Sequence, residues 1–249
     1  MPLKLSPILG HRGACAYAPE NTIISIKTAA DMGVKWVELD VMLTRDSIPI
    51  IFHDETLDRT TNGSGNVADR DWAEIKELDA GSWFADSFAG ITVPTLEEVL
   101  ETLIDLDMGL NLEIKPTPGR EIETAEVALD MLSRVWDDHD RLMLSSFRHV
   151  SLETAMEMAP EWARGLLLWH DEMPPDWKGL AEYLDVAAVN ISNELASREF
   201  IEDIIDMKKL VLVYTINDPQ RARQLQSFGV DAFFTDNPDV LQESLLKVH

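Results

Sequence analysis

The sequence predicts an α/β fold of the (β/α)8, TIM-type barrel class, and three observations carry that prediction. Eight short apolar runs alternate with amphipathic, helix-period stretches from one end of the chain to the other. The chain has 249 residues, and barrels of this class typically use about 250 as one domain. No Gly-rich dinucleotide fingerprint follows any of the runs, which argues against an open doubly wound sheet.

The expected strands, in order, are Ile8–Gly10, Trp36–Val41, Leu110–Ile114, Arg141–Ser145, Gly165–Trp169, Val186–Ile191, Leu210–Tyr214 and Asp231–Thr235. Most are continuously apolar, as parallel strands covered on both faces must be. The intervening helices announce their ends. Thr95 and Glu98 form a capping box ahead of Val99, Leu100 and Leu103. Asp218-Pro219 opens a later helix that Gly229 closes, and Asn237-Pro238 opens the last.

One segment departs from the alternation. After Val41 the chain makes a short polar turn and returns as Ile48-Pro49-Ile50-Ile51-Phe52-His53, a β-hairpin extension of the second strand with Pro49 on an edge. Residues 54–93 follow, rich in Asp, Gly and Asn with Trp72, Trp83, Phe84 and Phe88 interspersed. That is too long for an ordinary barrel loop. It reads as a small insertion with its own satellite core on the catalytic side, inside a single domain spanning 1–249.

Composition removes several function classes. With 45 acidic against 21 basic residues the formal charge is −24, a field that repels nucleic acid and anionic membrane. The opening MPLKLSPILG lacks the apolar core of about 7–15 residues expected of a signal peptide. No run approaches the roughly 20 apolar residues of a membrane helix. The single cysteine, Cys15, allows no intrachain disulfide. A soluble cytoplasmic protein, without membrane insertion, is the expectation; composition is silent on oligomeric state.

Barrel chemistry sits where strands end. The first strand ends in His11-Arg12-Gly13, and the second carries Glu38 and Asp40 two apart, on one face. The hairpin's return arm ends in His53-Asp54, and the next barrel strand carries Glu113 and Lys115, again on one face. Later strands end in Ser145-Ser146-Phe147, Tyr214-Thr215-Ile216-Asn217 and Thr235-Asp236-Asn237. Carboxylates inside apolar strands are costly unless paired or metal-bound. Glu38, Asp40 and Glu113 therefore call either for a hard divalent cation, Mg²⁺ or Ca²⁺, or for a charge network with Arg12 and Lys115. Two histidines converging on such acids are suited to proton transfer, and Arg12 and Lys115 to holding phosphate oxygens. Cys15 is read as a small apolar packing residue and not as a nucleophile.

These residues resemble the glycerophosphodiester phosphodiesterase family. His11-Arg12-Gly13 followed by Pro19-Glu20-Asn21-Thr22 looks like its opening signature, and Glu38-Leu39-Asp40-Val41 with Thr44, Asp46 and His53-Asp54 like its second block. Leu57 to Gly63, Pro94-Thr95-Leu96, Glu113-Ile114-Lys115, Tyr214 to Asn217 and Gly229 through Asp236 continue it in order. The likeness is to the compact bacterial cytosolic form. Ser47, where Gly is common, and Tyr214, where Trp is common, are mild departures. The resemblance implies hydrolysis of glycerophosphodiesters such as glycerophosphocholine or glycerophosphoethanolamine to glycerol 3-phosphate and an alcohol. It implies one divalent cation on Glu38, Asp40 and Glu113, proton transfer by His11 and His53, and Arg12 and Lys115 near the phosphate. A lysophospholipid- or other head-group-cleaving phosphodiesterase on the same barrel, and a non-catalytic barrel that binds phosphate esters, are the rival expectations.

Overall fold

The computed structural model describes residues 3–245. Eight strands run parallel in a closed ring: β1 (Ile8–His11), β2 (Trp36–Leu43), β4 (Gly109–Ile114), β5 (Leu142–Ser146), β6 (Ala163–Leu168), β7 (Ala188–Ser192), β8 (Leu210–Tyr214) and β9 (Ala232–Thr235). Closure is made by β1, which pairs with β2 on one side and β9 on the other. The ninth strand, β3 (Pro49–Ile51), lies antiparallel on the C-terminal half of β2, with Val41 opposite Ile51 and Leu43 opposite Pro49. This is the TIM barrel with a hairpin extension that the sequence predicts. The structure starts and ends several strands a residue or two from the expected bounds; Ala188–Ser192, for example, replaces Val186–Ile191.

A helix follows each barrel strand: α1 (Ile23–Asp31), α3 (Leu96–Asp105), α4 (Glu121–Val135), α5 (His149–Met158), α6 (Trp177–Tyr183), α7 (Arg198–Asp206), α8 (Pro219–Phe228) and α9 (Pro238–Leu245). The expected caps are present. Thr95 accepts from the Glu98 amide while Glu98 accepts from the Thr95 amide. Asp218 accepts from the Gln220 amide, and Gly229 closes α8 in the left-handed region at φ 105°. Among the described residues no helix is long and apolar enough to cross a membrane.

The core has two layers. Inside the barrel, Leu9, Trp36, Met143, Leu212 and Phe234 pack together. Gly109 is required here: a Cβ on it would lie 2.4 Å from the Trp36 ring, its cross-strand neighbour. The outward faces of the strands meet the helices in two larger apolar clusters.

Residues 54–93 contain only one short helix, α2 (Trp72–Ile75), and two 3₁₀ turns. Leu57, Val67, Ile75, Ala80 and Val93 form a separate apolar cluster with Met42, Ile50 and Phe52 of the hairpin. Trp72 packs against it, whereas Trp83, Phe84 and Phe88 stack edge-to-face outside it. Ser47 adopts φ 61° in the hairpin turn, the conformation a glycine would take without strain. Its hydroxyl donates to Glu123 and accepts from Arg120, so α4 holds the turn from outside.

Candidate active site

The seven residues expected to carry chemistry lie within β2, at or just after the ends of β1 and β4, and on the return arm after β3. His11, Arg12, Glu38, His53, Glu113 and Lys115 line one cavity of about 400 Å³. Asp40 lies just beneath it, 1% exposed.

Local backbone geometry sets the first pair. Immediately after β1, Arg12 (φ 50°) and Gly13 (φ 87°) are both left-handed. A Cβ on Gly13 would sit 2.4 Å from Ser25 Oγ, so the turn can pack against α1 only with glycine there. The turn aims the Arg12 amide at Glu38, to which it donates at 3.1 Å. Arg12 Nη1 donates to Glu20 at 2.8 Å, and its buried Nε lies 3.5 Å from Asp40 without a hydrogen bond.

Strand register sets the acids. Glu38 is paired with His11 across β1–β2, and Asp40 with Glu113 across β2–β4. Ligand oxygens of Glu38, Asp40 and Glu113 all lie within 4.8 Å of one another, and all three side chains are buried. Burial, reinforced by Asp40 and Glu113, pushes the Glu38 carboxyl well above the usual carboxylate range. Burial also raises Glu113, to about 7, with Asp40 adding to it against the pull of Lys115 and Arg12. For Asp40, burial is outweighed by Lys115, Arg12 and His53, and its carboxyl is held down. Asn21 donates to it at 2.8 Å.

The cluster fits a hard divalent cation. Three carboxylates converge, two of them resist ionisation first because they are buried and then because of neighbouring carboxylates, and Glu113 Oε1 has no hydrogen-bond partner. Lys115 Nζ approaches Asp40 and Glu113 to 3.7 and 3.6 Å, so part of the alternative charge network is present as well.

Each histidine has its own carboxylate. His11 Nδ1 donates to Asp236 at 2.7 Å, and His53 Nδ1 to Asp54 at 2.6 Å. Asp236 is held in turn by Asn217, whose amide nitrogen donates to Oδ2 at 2.7 Å and whose amide oxygen accepts from the Asp236 backbone. Sequence reasoning placed Asp54, Asp236 and Asn217 at strand ends without giving them a role. Cys15 is not the apolar packing residue expected. It is half-buried and donates its thiol to Asp236 Oδ1 at 2.9 Å. Burial and the Asp236 charge push that thiol up, which suppresses the thiolate a nucleophile needs.

Phe147, Trp169, Tyr214 and Phe234 add aromatic surface to the lining of the cavity. Tyr214 packs edge-to-face between Phe147 and Phe234, and its hydroxyl donates to the Leu168 carbonyl at 2.8 Å.

Known proteins resemble this chain in sequence and in fold. A glycerophosphodiester phosphodiesterase of Caldanaerobacter subterraneus subsp. tengcongensis is 35% identical over 245 residues, covering 94% of this chain and 95% of its own. A Bacillus subtilis glycerophosphodiester phosphodiesterase is 32% identical over 249 residues, with 94% and 85% covered. Among solved structures, an Oleispira antarctica phosphodiesterase bound to the product sn-glycerol-3-phosphate superposes with a TM-score of 0.94 at 40% identity, covering 98% of each chain. A glycerophosphodiester phosphodiesterase from Agrobacterium tumefaciens superposes with a TM-score of 0.78 at 29% identity, covering 96% of this chain and all of the other. The pattern of the glycerophosphoryl diester phosphodiesterase family runs from residue 11 to residue 240, from the first histidine of the cavity to the last helix of the barrel, and the chain belongs to that family.

Proposed function

We propose that this enzyme hydrolyses glycerophosphodiesters, such as glycerophosphocholine and glycerophosphoethanolamine, to sn-glycerol 3-phosphate and the free alcohol. The observation that carries the reading is one cavity holding two carboxylate-backed histidines, two cations and a convergent acidic cluster. The product bound to the Oleispira antarctica relative supports a small-molecule ester of glycerol phosphate as substrate.

Glu38, Asp40 and Glu113 would hold one divalent cation, Mg²⁺ or Ca²⁺. When bound, that ion supplies Lewis-acid polarisation of a phosphoryl oxygen. Arg12 and Lys115 orient the phosphate and stabilise the charge that grows on its oxygens. An oxygen nucleophile attacks phosphorus as one histidine takes its proton. The other histidine protonates the departing alkoxide, a step that matters because choline and ethanolamine alkoxides are poor leaving groups. Asp236 and Asp54 keep the two rings in the orientation and tautomer this exchange needs. Residues 54–93 form an insertion within one catalytic domain, and the enzyme works in the cytoplasm on small molecules.

The test is release of sn-glycerol 3-phosphate from glycerophosphocholine, before and after EDTA and after restoration of Mg²⁺ or Ca²⁺. Release that stops with chelator and returns with metal is expected. No release from any of several glycerophosphodiesters overturns the reading in favour of a lysophospholipid substrate, and full turnover after exhaustive chelation removes the cation from it.

A further inference from the structure

Arg59 comes from the 54–93 segment and does not line the cavity, yet its guanidinium grips two carboxylates at once. Nε and Nη2 donate to the two oxygens of Asp54 at 2.7 and 2.8 Å. Nη1 and Nη2 donate to the two oxygens of Glu20 at 2.8 and 2.7 Å. Each carboxylate also holds a group in the cavity. Asp54 Oδ1 accepts from His53 Nδ1 at 2.6 Å, and Glu20 Oε1 accepts from Arg12 Nη1 at 2.8 Å. The result is one unbroken chain, Arg12–Glu20–Arg59–Asp54–His53.

We propose that Arg59 is a positioning residue for the reaction: through Asp54 it fixes the His53 ring, and through Glu20 it fixes the Arg12 guanidinium. The proposal rests on the proton-transfer role of His53 and the phosphate role of Arg12 argued above. It gives the inserted segment a part in catalysis, since that segment supplies the link between the two groups.

The geometry requires a guanidinium. An exposed ion pair ordinarily contributes little, and the Arg59 side chain is 44% exposed. Two bidentate forks are a different case, because planar, parallel N–H···O bonds fix direction as well as distance. A lysine at 59 keeps the charge but offers a point donor that cannot hold four oxygens in one plane. Without the fork, Glu20 has an oxygen free to draw more of Arg12 out of the cavity. Asp54, released on its outer side, no longer holds the His53 ring at one angle. Loss of alignment of this kind costs turnover steeply, up to about 10²-fold for a displacement near 1 Å.

The experiment measures kcat and KM of the metal-loaded enzyme with glycerophosphocholine for Arg59→Ala, Arg59→Lys and His53→Ala, and for Arg59→Ala combined with His53→Ala. Arg59→Ala is expected to lower kcat by about 10–100-fold, with added guanidinium restoring part of the loss. Arg59→Lys, which keeps the charge and most of the side-chain packing, is expected to stay at least several-fold below wild type and to gain nothing from guanidinium. In the His53→Ala background the further loss from Arg59→Ala is expected to shrink. Wild-type kcat in folded Arg59→Ala, or in folded Arg59→Lys if the alanine variant does not fold, overturns the proposal, as does full additivity with His53→Ala. Wild-type enzyme that turns over no glycerophosphodiester overturns the functional reading beneath it, a result distinct from an active enzyme indifferent to Arg59.

Discussion

Lys115 Nζ lies 2.6 Å from His53 Nε2 while it faces Asp40 at 3.7 Å and Glu113 at 3.6 Å. An ammonium this close requires an unprotonated Nε2, which places the ring proton on Nδ1, where Asp54 accepts it. Burial and the nearby cations act in the same direction and lower the His53 pKa, despite the opposing field of Asp40. Lys115 is therefore both a candidate phosphate ligand and, with Arg12, a charge that offsets the acidic cluster.

That double duty yields a prediction with two opposite signs. Replacing Lys115 by Met keeps the apolar stem and removes a charge competing for Asp40 and Glu113. Turnover is expected to fall by about 10²-fold, as for loss of an electrostatic stabiliser. Affinity for Mg²⁺ or Ca²⁺, measured calorimetrically with the ion alone, is expected to rise about tenfold, a modest part of the roughly 4 kcal/mol between unit charges at this range. Unchanged or weaker binding in the folded variant shows that Lys115 does not compete for the cluster.

The two histidines should behave alike in size of effect. His11→Ala and His53→Ala are each expected to lower kcat by about 10²–10⁴-fold, with the thermal midpoint near that of wild type because both rings face the cavity. Wild-type turnover in either folded variant removes that residue from proton transfer.

Of the residues that line the cavity, Asp236 hydrogen-bonds His11 alone, so its effect should be smaller and should depend on that ring. Asp236→Asn keeps the shape but loses the carboxylate that accepts from Nδ1 at 2.7 Å. A kcat loss of about 10–100-fold is expected, on the scale of an outer partner of a site residue. Combined with His11→Ala, the substitution should cost nothing more. An equal further loss in the double variant means that Asp236 works elsewhere.

What the sequence reveals of this site follows from what is periodic or adjacent. Glu38 with Asp40 and Glu113 with Lys115 stand out because a spacing of two in an apolar strand puts both side chains on one buried face. The hairpin is legible for the same kind of reason, since a return arm follows Val41 too soon for a helical crossover. The carboxylate partners are not legible. Asp236 reaches His11 only because β9 pairs with β1 to close the ring, 225 residues away in sequence. Arg59 lies in a loop, where neither period nor strand end marks a direction, although its side chain ties Glu20 to Asp54. Cys15 reads as a packing residue from its apolar neighbours in sequence, which say nothing of the aspartate that the closed barrel brings to it.

Cation binding should depend on pH in a defined direction. Glu113 is raised to about 7 and Glu38 well above its ordinary value, in both cases first by burial. Below this range the metal-free cluster holds protons that an incoming cation must displace. Affinity is therefore expected to rise as pH increases through about 7 and to level off once the free cluster is ionised. Calorimetric titrations at about pH 6 and about pH 8, in buffers of different ionisation enthalpy, should show at least about tenfold tighter binding at the higher pH. They should also show net proton release at the lower pH. Equal affinity with no proton release means that the cluster is already ionised.

The far end of the barrel supplies a prediction about stability that leaves catalysis untouched. Arg164 begins the inner length of β6, is 3% exposed, and donates to backbone carbonyls of Trp162, Pro160, Leu184 and Asp185 at 2.9 to 3.3 Å. These carbonyls lie in the segments just after α5 and α6, so one guanidinium ties together the exits of two helices. Arg164→Met preserves much of the volume but strands these acceptors in a dry site, at a cost of about 2–4 kcal/mol. For a chain of this length that corresponds to a midpoint lower by roughly 4–16 °C. Turnover below the transition is expected to match wild type, because Arg164 sits at the opposite ends of the strands from the cavity. A midpoint unchanged by the substitution means that water reaches those carbonyls once the guanidinium is gone, and a fall in kcat at full folding means that the two ends of the barrel are mechanically coupled.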